Sequence, residues 1–205
     1  MPDAERPQIY LITPPVLDEG FPDRLSAVLD AVEIACLRLA VATRDLDLVR
    51  RAADACRHVA HERDVAMVIA DHQLLVGPHG LDGVHLSDGA RGVRAARKAL
   101  GADAIVGAAC GVTRHEGINA AEAGADYVAF SPVGMTALGD GKQAAADLFD
   151  WWSEMIEVPV VAEGALTAEL VARLGPVTDF LAVGEEIWGQ DNPGAALQRL
   201  LAAVL

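Results

Sequence analysis

Residues 65–88 run Val65-Ala66-Met67-Val68-Ile69-Ala70-Asp71, then a link through Gln73 to Val76, then Gly83-Val84-His85-Leu86-Ser87-Asp88. Each half is a short apolar run of strand length that stops at an acidic residue. The same unit recurs along most of the chain. Strand-like runs fall at 8–13, 32–39, 66–70, 82–86, 104–108, 127–131, 158–162 and 180–183, with helical spacing between them. Eight strands alternating with helices predict a parallel sheet with right-handed crossovers. Closed on itself, that sheet is a (β/α)8 TIM barrel, read here as one domain over 1–205. A doubly wound open sheet is the alternative, and it is disfavoured because no Gly-x-Gly-x-x-Gly follows the first strand.

Local signals place the helices. The spacing of Leu25, Val28 and Leu29 predicts a helix over 21–29. Thr43 is read as the cap of a long helix ending near Arg63, and further helices are expected over 91–100 and 144–155. Thr113 caps a helix through Ala123 that Gly124 stops, and Thr167 starts another. Asn192 caps the last, with Pro193 at its first position.

Composition narrows the function classes. The 205 residues are 52% hydrophobic and only 4% aromatic, which suits buried parallel strands under Ala-rich helices. A net charge of -14 with no basic stripe argues against nucleic acid as a partner. No apolar stretch reaches the roughly 20 residues of a membrane helix, so no membrane partner is expected. Cys36, Cys56 and Cys110 have no metal-type spacing. Their odd number, and an acidic, polar N-terminus unlike a signal peptide, point to the reducing cytoplasm.

Several segments read together. Tyr10-Leu11-Ile12-Thr13-Pro14 opens the chain, and Asp82-Gly83-Val84-His85-Leu86 forms the fourth strand. Ala123 to Val133 leads past the sixth, and Pro159-Val160-Val161-Ala162-Glu163-Gly164 forms the seventh. In this order and spacing the chain resembles the thiamine phosphate synthase and thiazole tautomerase superfamily. The resemblance implies a barrel that joins an aminopyrimidine diphosphate to a thiazole phosphate with loss of pyrophosphate, helped by Mg²⁺. Its partner would be a small phosphorylated heterocycle, and a homodimer is possible, with Trp151-Trp152 either at that interface or in the core.

The resemblance also assigns residues. Arg38 keeps the arginine of the second-strand pattern, while Cys36 and Ala40 stand where the family has Gln and Lys. Asp71 keeps a metal-binding Asp. Ala90 stands where a second is expected, which leaves Asp88 as an off-register metal ligand. The family's Ser after the fifth strand falls near Ala109 or Cys110. Thr136 and Lys142 remain of the phosphate-binding loop, with Gly139 at a place where a basic group is expected. Gly164 keeps half of a Gly-Gly pair. Glu163, Glu185 and Glu186 put acids where phosphate would bind, and a carboxylate beside a diphosphate repels it.

The candidate catalytic residues are therefore Arg38, Cys110 and Lys142. The candidate binding residues are Arg38, His72, Thr136, Glu163, Gly164 and Glu185, and the candidate Mg²⁺ ligands are Asp71 and Asp88. Arg38 either grips a phosphate or pairs with Asp71 one strand away. Cys110 is a nucleophile if a base activates it and a small buried residue otherwise. His85 reads as a core histidine. No histidine lies between Ser131 and Asp150, which counts against a tautomerase. A non-catalytic barrel that binds a thiamine-related compound, and an enzyme for a cationic substrate, are the rival classes. The direction in which Glu163 and Glu185 point separates them from the synthase.

Overall fold

The computed structural model describes residues 6–136 and 141–205. Along the chain run β1 (Gln8–Ile12), α1 (Phe21–Ala31), β2 (Cys36–Leu39), α2 (Leu46–His61), β3 (Ala66–Ala70), α3 (Val76–His79), β4 (Gly83–Leu86) and α4 (Ala90–Leu100). There follow β5 (Ile105–Ala109), α5 (Arg114–Ala123), β6 (Tyr127–Phe130), α6 (Ala146–Met155), β7 (Val160–Glu163), α7 (Ala168–Leu174), β8 (Phe180–Val183), α8 (Glu185–Trp188) and α9 (Pro193–Leu200). Neighbouring strands are all parallel, and β1 pairs with both β2 and β8, so the sheet closes into the expected (β/α)8 barrel.

Strand alternation divides the apolar residues into two layers. Leu11, Leu37, Ile69, Val106 and Val160 face outward into the large core beneath the helices. Tyr10, Cys36, Val68, Tyr127, Ala129, Val161 and Ala182 face inward and pack together. Small inward residues make room for the two tyrosines, whose hydroxyls lie 2.7 Å apart. The Tyr127 hydroxyl also lies 3.0 Å from Nδ1 of the buried His85. Gly107 completes this packing, because a Cβ there would stand 2.0 Å from Cζ of Tyr127.

At the amino-terminal end of the barrel one device recurs. Asp82, Asp126 and Asp179 each precede an even-numbered strand and accept a backbone N–H from the strand before it. The donors are Met67 at 2.6 Å, Val106 at 2.7 Å and Val160 at 2.7 Å.

Differences from the sequence expectations have local causes. The second strand begins at Cys36 rather than Val32, because Val32 and Ile34 are buried in the core without belonging to the sheet ladder. Asp45, not Thr43, caps α2, accepting from Asp47 and Leu48, while Thr43 accepts from the Asp45 amide. The link over 73–76 is a 3₁₀ turn at Gln73–Leu75 that passes into α3. The caps at Thr113, Gly124, Thr167 and Asn192 stand as read. Trp152 belongs to the core and donates its indole N–H to Val158, whereas Trp151 is half-buried beneath the Arg114 guanidinium.

Gly107→Ala is expected to destabilise the protein by about 1–3 kcal/mol, since the new Cβ would overlap the Tyr127 ring and displace a hydroxyl bonded to Tyr10 and His85. Urea unfolding of the variant and the parent measures it.

Candidate active site

The carboxyl ends of barrel strands carry the chemistry of this architecture, and here they surround an open cavity of 820 Å³. Arg38 from β2 and Glu163 from β7 meet across it. Nη1 of Arg38 donates to Oε2 of Glu163 at 3.0 Å and Nη2 to Oε1 at 2.5 Å, a bidentate fork. Arg38 is 6% exposed, its guanidinium lies 5.6 Å from the centre of the Tyr10 ring, and its Nε has no acceptor among the described residues. Burial works against the guanidinium charge, and the Glu163 carboxylate outweighs it, so the Arg38 pKa is raised. The lone guanidinium expected from the sequence, or its pairing with Asp71, is corrected by this contact.

Asp71 stands just past β3 with a φ of +59°, in the left-handed region that side chains seldom adopt. Its amide donates to the His85 carbonyl at 3.0 Å. Its carboxylate takes the Ser87 amide on Oδ1 and the Ser87 hydroxyl on Oδ2, both at 2.8 Å. The side chain is exposed. Asp is among the few side chains that enter this region readily, and the carboxylate so held faces solvent.

Asp88 turns elsewhere. Its Oδ1 lies 3.1 Å from where a Cβ on Gly92 would stand, over the first turn of α4. With Ser87, Arg91, Glu116 and Ser131 it lines a second depression of 680 Å³, which shares Ser131 with the main cavity. Among the described residues no group of three or more His, Cys, Asp or Glu side chains is placed to hold a metal. Mg²⁺ is commonly held by one or two carboxylates with substrate phosphates and water supplying the rest. Asp71, whose exposed oxygens each carry a single hydrogen bond, fits that mode.

The loops after β7 and β8 form the opposite wall. Gly164 and Ala165 have φ of +91° and +55°. Oε1 of Glu186 accepts from the Leu166 amide at 3.0 Å and Oε2 from the Gly184 amide at 2.8 Å. A carboxylate of the chain thus occupies backbone donors in the region where barrels of this kind often hold phosphate. The three glutamates therefore differ. Glu163 points inward but is neutralised by Arg38, Glu186 is tied to backbone amides, and Glu185 lines the cavity as an exposed side chain.

The remaining candidates divide. Thr136 lines the main cavity, and Lys142 is exposed beyond it; Gly139 lies outside the described residues. His72 is half-buried, and its ring makes no hydrogen bond among the described residues. Cys110 is corrected as a nucleophile. Burial, with Glu116 adding to it, pushes its thiol up to about 12, and Sγ contacts the Ala108 carbonyl at 3.4 Å. Arg91 was missed by the sequence reading. It lines the second depression one residue past Ala90 and makes no ion pair among the described residues. The signal available was a basic residue beside the vacated acid position.

A family model described as thiamine monophosphate synthase matches residues 9–186. The chain is 40% identical over 196 residues to a thiamine-phosphate synthase of Rhodospirillum centenum, covering 93% of this chain and 94% of that one. A thiamine-phosphate synthase of Erythrobacter litoralis is 36% identical over 202 residues, covering 95% of each. A thiamine phosphate pyrophosphorylase from Pyrococcus furiosus superimposes with a TM-score of 0.84, covering 98% of both chains at 19% identity, a likeness of fold.

Burial, and then the Arg38 charge, lower the His85 pKa well below its ordinary 6.5. The folded protein therefore holds this ring neutral where the unfolded chain binds a proton. Its contribution is nil above about pH 6.5 and increasingly destabilising below it, by up to about 1.4 kcal/mol per pH unit. Urea titrations at pH 7.5 and 5.5 are expected to show that loss, and a smaller one in His85→Gln.

Proposed function

The chain belongs to the thiamine monophosphate synthase family, and from that premise we propose that it joins an aminopyrimidine diphosphate to a thiazole phosphate, forming thiamine phosphate and pyrophosphate. The observation that carries this reading is the open 820 Å³ cavity at the carboxyl ends of the strands. It lies within the roughly 300–1,000 Å³ of small-molecule sites. A cytoplasmic setting suits such substrates, and no helix among the described residues is long and apolar enough to cross a membrane.

In the proposed reaction the bond between the pyrimidine methylene carbon and the diphosphate oxygen breaks, and its electron pair leaves with pyrophosphate. The thiazole nitrogen then gives its lone pair to the methylene carbon. Negative charge gathers on the leaving group, so cationic and N–H donors must face it. Arg91 and Lys142 are the side chains proposed to do so, because Arg38 is committed to Glu163. Asp71 would hold Mg²⁺, which when bound would neutralise part of that charge. The apolar walls at Ile12, Pro132 and Ala182 would keep water from the cationic carbon.

The thiazole phosphate is placed against the loops after β7 and β8. There its phosphate must displace the Glu186 carboxylate from the Leu166 and Gly184 amides.

Purified protein given both substrates and Mg²⁺ is expected to release pyrophosphate and form thiamine phosphate. Saturable binding without turnover would instead favour the carrier reading. Asp71→Asn keeps an acceptor for Ser87 but removes the charge. It should lower kcat/KM at least about tenfold, or about 1.4 kcal/mol, while Tm moves by less than about 4 °C. Arg91→Ala should raise KM for the pyrimidine diphosphate and leave that for the thiazole phosphate in place.

Glu186→Ala removes the competing carboxylate, and KM for thiazole phosphate should fall several-fold. A rise would show that Glu186 supports the substrate rather than competes with it.

A further inference from the structure

The Arg38–Glu163 pair is asymmetric in what it offers the cavity. The fork takes one N–H from each terminal nitrogen of Arg38, two of the guanidinium's five, and Nε is sealed from solvent with no acceptor among the described residues. The Arg38 side chain is 8% exposed and that of Glu163 is 18% exposed. Both line the cavity, and the carboxylate shows it the larger share of its surface. An ionised carboxylate has about four lone-pair directions, and the fork uses two.

We propose that this pair reads the exocyclic amine of the aminopyrimidine: Glu163 accepts its N–H, and Arg38 fixes the carboxylate in place. The inference rests on the proposed reaction and assigns a specificity determinant within it. A diphosphate is a poor partner for this feature, since the carboxylate that faces it repels it and the balancing charge lies behind. An amine on a neutral heterocycle is a good one. Carboxylates accept in the same way from the amino group of cytosine, another aminopyrimidine.

Glu163 is buttressed from behind. Arg38 lies against the ring of Tyr10, whose hydroxyl is held by Tyr127, which in turn meets His85. An acceptor fixed before the ligand arrives loses little freedom on binding and discriminates sharply against a ligand without the donor. Ile12, Pro132 and Ala182, which line the same cavity, offer apolar surface to the ring.

The test is calorimetric binding of the aminopyrimidine diphosphate and of its desamino analogue, each with Mg²⁺. The parent protein is expected to bind the amino compound at least about tenfold more tightly. In Glu163→Gln the Arg38 fork should draw the amide oxygen and leave the amide N–H₂ toward the cavity, donor facing donor, so that the preference falls to about twofold or less.

Because Glu163→Gln leaves a buried guanidinium with a neutral partner, the double variant Arg38→Met with Glu163→Met is measured beside it. It removes both charges at similar volume, a change buried pairs often tolerate, and should show the same loss of preference with residual affinity for both compounds. Equal binding of the two compounds by the parent, or an undiminished preference in both variants, overturns the proposal while leaving the synthase reading intact. Failure of the parent to bind either compound removes the synthase reading, and this inference with it.

Discussion

An arginine 6% exposed inside a barrel mouth demands a carboxylate, and Glu163 supplies it from three strands away around the ring. Removing either partner would strand the other, which is far more costly than the pair itself is stabilising. The contact ties the end of β2 to the end of β7 and sets which charges remain for a ligand. Arg38 is paired, so among the described residues the solvent-facing charges of the mouth include Asp71, Arg91 and Glu185. In a chain of net charge -14, that distribution decides which part of the opening can accept anions.

The mouth consequently has two unlike walls. On the β3–β4 side, Asp71 is gripped by Ser87 and a neighbouring depression carries Arg91. On the β7–β8 side, the backbone donors are already met by Glu186. Between them lies an ion pair that is neutral as a unit. Such a division suits two substrates of different chemistry lying side by side better than one extended anion.

Elements governed by neighbours in sequence could be read directly. Thr113 and Gly124 bound α5, and Asn192-Pro193 opens α9, because caps and stops act within a turn. Apolar runs located all eight strands, and the largest drift of an end is at the second, where Val32 and Ile34 are buried without pairing. The site was harder. Asp71 was visible because it ends an apolar run. The partner of Arg38 was not, since Glu163 lies 125 residues away and is brought to it only by barrel closure. Cys110 shows the converse, since its proximity to the site in sequence gave no measure of its burial at 1% exposed.

The aspartates at the opposite end of the barrel have a consequence for its construction. Asp82, Asp126 and Asp179 bind β4 to β3, β6 to β5 and β8 to β7, while Ala35 holds the corresponding place before β2. The eight-fold wheel is thus laced in twos, each lace joining a strand to its successor across one intervening helical connection. The longest backbone ladders, of four register pairs each, lie at the unlaced β1–β8, β2–β3 and β4–β5 seams, whereas each laced seam has three, so the aspartates reinforce shorter ladders. The catalytic face can therefore diverge, exchanging one charged group for another, while a separate set of acids at the base keeps the strands in register.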